Sequence, residues 1–139
     1  MPQALVAGLV VAHGLITTMI GLGGVTKPDA PAVTLPAWFG WWPGPFGRSW
    51  LIDALDLGSG ATMIGGGLWL AAGLALVASG LGWLGVPALS GVWLPLAFGG
   101  AAAGLVALAL FFHPLYVVAV VINVALVVLA SGALVPEAR

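Results

Sequence analysis

Two polar side chains that can hold a proton or a ligand occur within otherwise apolar stretches of the sequence. His13 lies in the middle of LVVAHGLITTM with Thr17 one helical turn further on, and Asn123 lies in a stretch rich in Val and Leu. An imidazole can transfer a proton or bind a ligand, and a polar group surrounded by apolar residues needs a partner. His13 and Asn123 are each about nine residues into a predicted helix. We therefore expect them to meet at the same depth if the first and fourth helices are neighbours.

This predicted pair has two interpretations. In the first, an imidazole–amide hydrogen bond between His13 and Asn123 holds two helices together, and such bonds contribute less than about 2 kcal/mol in membranes. In the second, the pair is a proton or ligand site, because ionisable residues in apolar helices often mark such sites. The first interpretation is narrowly favoured, and the sequence leaves both open.

The second histidine, His113, is predicted to lie far from His13. It is about 20 residues into the third helix, whereas His13 is about nine residues into the first, so their depths differ by roughly 16 Å. This separation argues against two axial ligands for one haem. With no cysteine and few, dispersed ligands, no metal site is predicted. We expect the His113 ring at the membrane interface, in contact with headgroups or loop carbonyls.

A loop at residues 26–59 carries the remaining candidates. It contains five prolines and four tryptophans, which predicts an irregular segment along the headgroup layer. This segment is either a structural lid or a substrate gate. Trp42 is the aromatic residue of the loop that we select as a candidate for ligand binding. Asp53 and Asp56 are three residues apart on one face of a predicted short helix and could relay protons or form a polar mouth. Alternatively they are solvated charges that favour a helix dipole, with Arg48 close enough to pair with one.

The composition indicates the elements that position these residues. Of the 139 residues, 62% are hydrophobic and 5% charged, whereas a soluble domain carries about 25% charged residues. The sequence contains apolar runs that are long enough to cross a bilayer, and these runs are terminated by turns that contain Pro and Gly. The prediction is an all-α, integral membrane, four-helix antiparallel bundle in one domain, with a long Trp/Pro-rich interfacial loop between helices 1 and 2. The spans are about residues 4–25, 60–84, 93–112 and 115–134; we interpret the first as a retained helix, not a signal peptide.

Small residues predict how these helices pack. Helices in lipid associate through close contact of small side chains. Three stripes of such residues are present, one in each of the first three helices: Ala4, Gly8 and Ala12; Gly67, Ala71, Ala75 and Ser79; Gly100 and Gly104. They predict a tight bundle without a wide pore, or a surface for homodimerisation.

The first helix also resembles a known family. AHGLITTMIGLGGV is similar to the start of DoxX/DoxD-like proteins, small four-helix bacterial membrane proteins whose first helix often carries His-Gly-Leu followed by glycines; GGGLWLAAGLALVASGLGWLG looks like their second helix. The sequence departs from the family in its long Trp/Pro loop and in having Thr17 or Thr18 where a basic residue is frequent. The resemblance implies the bacterial cytoplasmic membrane and a link to quinone or sulfur redox systems. Of the family's functional residues, the resemblance assigns only His13 in this chain.

These observations favour some functions over others. The low charge leaves no basic stripe for nucleic acid, and no nucleophile or phosphate-binding motif is present. The favoured hypothesis is a non-catalytic accessory subunit or a module that binds a small hydrophobic ligand, a quinone or a lipid, with no obligatory cofactor. The alternatives are a homo-oligomeric transporter or channel using His13, Asp53 and Asp56, and a redox enzyme with a bound chromophore. Expected partners are the lipid bilayer and either a second copy or a larger membrane complex.

Overall fold

The protein is all-α in the residues that the structure, a computed structural model, describes: 3–29 and 55–134. Four long helices follow one another as α1 (Gln3–Thr26), α2 (Gly58–Trp83), α3 (Trp93–Leu110) and α4 (Val117–Leu134). A four-residue helix, Pro87–Ser90, connects α2 to α3, and a 3₁₀ turn, Pro114–Tyr116, leads into α4. Each long helix, α4 together with its 3₁₀ turn, is long and apolar enough to cross a membrane. The prediction of an all-helical chain with four long apolar helices is confirmed.

The end of α2 shows how the sequence terminates a span. Gly85 adopts a φ of +93°, a left-handed conformation that favours glycine. Its N–H donates to the carbonyl of Gly82 (3.0 Å), and the N–H of Val86 donates to the carbonyl of Leu81 (3.1 Å). These two bonds form a Schellman motif, which satisfies carbonyls that the helix leaves without partners. Pro87 then opens the connecting helix at a position where no N–H is needed.

The contact between α1 and α2 is the most extensive in the described residues. It is made by glycines spaced seven residues apart on both helices, so that backbone lies directly against backbone. A Cβ atom added at Gly14 would lie 2.7 Å from the backbone nitrogen of Val77, closer than real Cβ atoms approach. The other glycines of this interface are Gly21, Gly24, Gly66, Gly73 and Gly80. Because Gly14 faces residues 73–77 and Gly80 faces residues 7–11, the two helices run antiparallel.

The small-residue stripes are only partly those that the sequence predicted. The stripe of α1 does not pack within the bundle, because Ala4, Gly8 and Ala12 are all exposed; its alternative role in homodimerisation stays a prediction. In α2, Ala71 is exposed and a Cβ at Gly67 would meet nothing within 4 Å. The remaining predicted small residues do pack: Ala75 and Ser79 face α3, Gly100 faces α2, and Gly104 faces Asn123. Every face of these helices is apolar, so the sequence contains no polar contrast that identifies the buried side.

The helices are arranged in sequence order. α2 packs between α1 and α3, and α4 packs on α3, whereas α1 and α4 make few close backbone approaches to each other. Two buried clusters fill the interior. One contains Val10, Leu76, Ala101 and Leu126, and the other contains Trp69, Ala107, Leu108, Phe111 and Tyr116. The sequence-based picture of α1 and α4 as packed neighbours is therefore corrected: the two helices flank an open groove.

Candidate functional site: a groove between the first and last helices

The groove between α1 and α4 has a volume of about 730 Å³, within the range of pockets that hold small-molecule ligands. On α1 its lining runs from Val6 to Ile20, which corresponds to a length of about 21 Å along the helix. Side chains of α4 and its preceding turn form the opposite wall, and Trp69 and Trp83 of α2 contribute to the lining. The groove is therefore long, narrow and predominantly apolar.

His13 and Thr17 give this lining its polar atoms on α1. His13 has 9% of its surface exposed, and its Nε2 atom has no hydrogen-bond partner among the described residues. Thr17 is buried, and its hydroxyl donates to the carbonyl oxygen of His13 at 2.8 Å. The Thr17 oxygen keeps lone pairs that can accept a further hydrogen bond. The two residues lie one turn apart on the same wall of the groove.

Asn123 lies next to His13 but does not line the groove. Its Nδ2 donates to the carbonyl of Ala119 at 2.9 Å, and its side chain packs against Gly104, where an added Cβ would lie 3.1 Å from Oδ1. The Asn123 amide and the His13 imidazole are side-chain neighbours. The two groups lie within interaction reach, and neither Nε2 of His13 nor Oδ1 of Asn123 makes a hydrogen bond of standard geometry in the described part of the chain. The structure thus brings the predicted pair together.

Aromatic residues that the sequence analysis did not select surround one end of the groove. Trp69 contacts Tyr116 with ring centroids 5.6 Å apart and Phe111 edge-on at 6.4 Å. Trp69 and Tyr116 both line the groove near Ile20. Tyr116 is the one tyrosine of the chain, and this was the feature of the sequence that could have identified it as a candidate site residue. An amphipathic ring at the start of a span is typical of a membrane interface.

His113 holds the turn between α3 and α4. Its Nδ1 accepts a hydrogen bond from the backbone N–H of Leu115 at 3.2 Å, and its ring lies edge-on to Tyr116. Only 1% of its surface is exposed, so of the two expected contacts of its ring, headgroups or loop carbonyls, the contact with headgroups is wrong. Burial lowers the pKa of His113, and the neutral ring then carries its proton on Nε2. A proline at position 114 and the short turn place the ring inside the protein.

The acidic and aromatic loop candidates do not join this site. Asp56 is exposed in a turn with a φ of +51° and is absent from the groove lining. Asp53 and Trp42 lie outside the described residues, as does most of the predicted interfacial loop and short helix. Within residues 3–29 and 55–134, no group of three or more His, Cys, Asp or Glu side chains is placed to hold a metal ion.

Comparison with known proteins gives no match, neither to a protein-family model nor to a curated protein or a solved structure. The lining of the groove consists of long apolar walls with aromatic rings at both ends, Trp69 and Tyr116 near Ile20 and Trp83 near Val6, and one imidazole halfway along. Such a lining is suited to an apolar molecule.

Proposed function

We propose that this chain is an integral membrane protein of the bacterial cytoplasmic membrane that binds a small hydrophobic ligand, a lipid or a quinone, without catalysing a reaction. The groove between α1 and α4 carries this proposal, because about 730 Å³ of mostly apolar space opens on the side of the bundle. The bacterial location and the quinone come from the resemblance of the first helix to DoxX/DoxD-like proteins.

The exposed surface supports the membrane location. Large apolar side chains cover the outer faces of the helices; Ile16 of α1, for example, is 61% exposed and Met19 is 74% exposed. Such a surface is costly in water and ordinary in lipid. In a bilayer the open side of the groove faces the acyl chains, so a hydrophobic ligand enters sideways from the membrane. The Trp/Pro-rich loop, residues 26–59, lies along the headgroup layer in this proposal.

The polar groups of the groove support binding rather than catalysis. General acid–base catalysis uses a side chain positioned at the proton being transferred, and enzymes usually combine it with further polar or charged groups that stabilise the transition state. Among the described lining residues, His13 is the one histidine, and none is Asp, Glu, Lys or Arg. A single imidazole among apolar walls can orient a ligand. In the cell this module acts alone, as a homo-oligomer or as an accessory subunit of a larger membrane complex.

Photolabelling in nanodiscs tests the proposal. A C16 chain with a photoreactive diazirine at its middle is added to the purified protein, and labelled peptides are identified by mass spectrometry. We expect saturable labelling of α1 and α4. Ala12 lines the groove and Ala4 does not, although both are exposed on α1; Ala12→Trp fills the groove and reduces labelling, whereas Ala4→Trp leaves it unchanged. Non-saturable labelling of all outward faces, equal in both variants, contradicts the proposal.

A further inference from the structure

We infer that the ligand of the groove is a long-chain neutral compound whose hydroxyl group binds at His13 and Thr17, midway along the groove. This inference rests on the proposed function and names the class of ligand. It follows from three observations: the position of His13 and Thr17 along the groove, the missing hydrogen-bond partner of His13 Nε2, and the absence of charged side chains from the described lining.

The polar side chains that α1 contributes lie at the centre of the groove, whereas Trp69 Nε1, the other unpartnered polar atom of the described lining, lies at the Ile20 end. His13 is seven residues from Val6 and seven from Ile20, the two ends of the lining on α1, so it is about 10 Å from either end. It is also close to the middle of α1, which spans Gln3–Thr26. A ligand with its polar group here keeps that group near the centre of the hydrocarbon layer. An ordinary membrane lipid instead keeps its headgroup at the surface.

The unsatisfied atom at this position requires a hydrogen-bonding partner. His13 is nine-tenths buried, and its Nε2 makes no hydrogen bond of standard geometry among the described residues, although the Asn123 amide lies beside it. A buried polar atom without a well-formed hydrogen bond costs free energy. A hydroxyl group both donates and accepts, so it satisfies Nε2 in either tautomer of the ring. When Nε2 carries the proton, the hydroxyl accepts from His13 and donates to the lone pairs of Thr17 Oγ1, one turn away on the same wall.

The lining selects against a charged ligand. None of the described groove residues is Asp, Glu, Lys or Arg, so a carboxylate, phosphate or quaternary ammonium group finds no counter-charge there. Transfer of an unpaired charge into apolar surroundings is far more costly than transfer of a hydroxyl. The occupant that fits both the apolar walls and the central polar atoms is therefore neutral.

Competition among four C16 compounds tests this inference. Each one is added as a competitor of the photoreactive C16 chain in nanodiscs: 8-hexadecanol (called hexadecanol below), hexadecane, palmitate and hexadecyltrimethylammonium. Hexadecanol differs from hexadecane only in a hydroxyl group near the middle of the chain, whereas the last two compounds carry a charge at one end. We expect hexadecanol to compete about three- to tenfold more strongly than hexadecane, since one hydrogen bond in a membrane is worth this factor. Palmitate and hexadecyltrimethylammonium are expected to be the weakest competitors for α1 and α4.

Matched variants assign the preference to the two residues. His13→Leu removes the advantage of hexadecanol and leaves hexadecane competition unchanged. His13→Gln, which keeps a hydrogen-bonding group, retains a preference for hexadecanol over hexadecane, and loss of that preference in His13→Gln contradicts the assignment. Thr17→Val reduces the advantage. Thr18→Val does not, because Thr18 has the same bond to its own helix, 2.8 Å to the carbonyl of Gly14, but packs against Gly73 of α2.

The outcomes separate this inference from the proposed function. If no C16 compound displaces the label, groove binding itself is refuted. If hexadecane and hexadecanol compete equally in the unaltered protein, groove binding stands and the hydroxyl assignment is refuted. The assignment is also refuted if palmitate competes best, or if the preference for hexadecanol survives in His13→Leu. A closed His13–Asn123 bond that only joins helices gives the equal-competition result.

Discussion

Gly66 and Gly67 are adjacent in α2 and face opposite environments, which makes them a direct test of the α1–α2 interface. A Cβ at Gly66 would lie 2.8 Å from both the carbonyl carbon of Gly24 and the nitrogen of Val25, whereas a Cβ at Gly67 meets nothing within 4 Å. The atoms opposite Gly66 are backbone and cannot rotate away. We therefore predict that Gly66→Ala destabilises the protein and Gly67→Ala does not.

The magnitude follows from the distances. To restore an ordinary contact of 3.4 Å, α1 must move away from α2 by about 0.6 Å at Gly66. A gap of about 0.5–1 Å forfeits a quarter to a half of the dispersion energy of each affected contact. Overpacking of this kind costs about 1–3 kcal/mol. Gly67→Ala creates no overlap and gains up to about 1 kcal/mol from helix propensity. The two variants are thus expected to differ by about 1–4 kcal/mol.

The assay is reversible unfolding in mixed micelles, in which increasing amounts of SDS are added and helix content is followed by circular dichroism. The comparison uses the midpoints and free energies of unfolding of the unaltered protein, Gly66→Ala and Gly67→Ala. Equal stability of the two variants would refute the stated register of α1 on α2. Lower stability of Gly67→Ala alone would show that the opposite face of α2 carries the contact.

The same unfolding assay tests two further sites. Ser79 is fully buried and its hydroxyl donates to the carbonyl of Trp93 at 2.8 Å, so Ser79→Ala should lose about 0.6–1.7 kcal/mol; the exposed Ser90 is the control, and equal losses in both would contradict this. Burial lowers the pKa of His113, so the unfolded chain binds this proton first on acidification. Stability should therefore fall as the pH decreases through about 6.5, and less steeply in His113→Gln; identical slopes of the free energy of unfolding against pH would exclude this effect.

Span positions were predictable because hydropathy and turn residues determine them locally. The predicted third span, 93–112, begins at the same residue as α3, Trp93–Leu110, and ends two residues later. Pro114 begins the 3₁₀ turn that precedes α4. The end of α2 follows from Gly85 and Pro87, which act through backbone conformation alone. Such signals do not depend on what the helix packs against.

The orientation of each helix about its own axis was not predictable in this way. In α1 the exposed Gly8 and the buried Gly14 are chemically identical, and only their position relative to α2 distinguishes them. The seven-residue spacing of Gly14 and Gly21, repeated at Gly66 and Gly73, was present in the sequence and indicates the interface better than four-residue stripes of small residues. A single spacing can be accidental, whereas the same spacing on two helices identifies matching faces.

The site was partly predictable for a similar reason. A histidine within an apolar helix attracts attention on its own, so His13 was selected, and Asn123 was selected with it. The groove was not foreseen, because it arises from the space left between α1 and α4, and no local sequence signal reports an absence of contact. Trp69 and Tyr116 became visible as groove residues only once that space was known.

Because α1 and α4 are not packed closely against each other, the width of the groove and the strength of the α1–α2 contact depend on different parts of the protein. α4 is attached along one side, through α3, while α1 is fastened to α2 by backbone contact. A molecule bound in the groove, as proposed, would lie against α4, whose closest backbone packing is on α3, and would leave the backbone contact between α1 and α2 in place. The width of the groove and the strength of the α1–α2 pair are therefore governed by different interfaces, and substitutions can alter one while sparing the other.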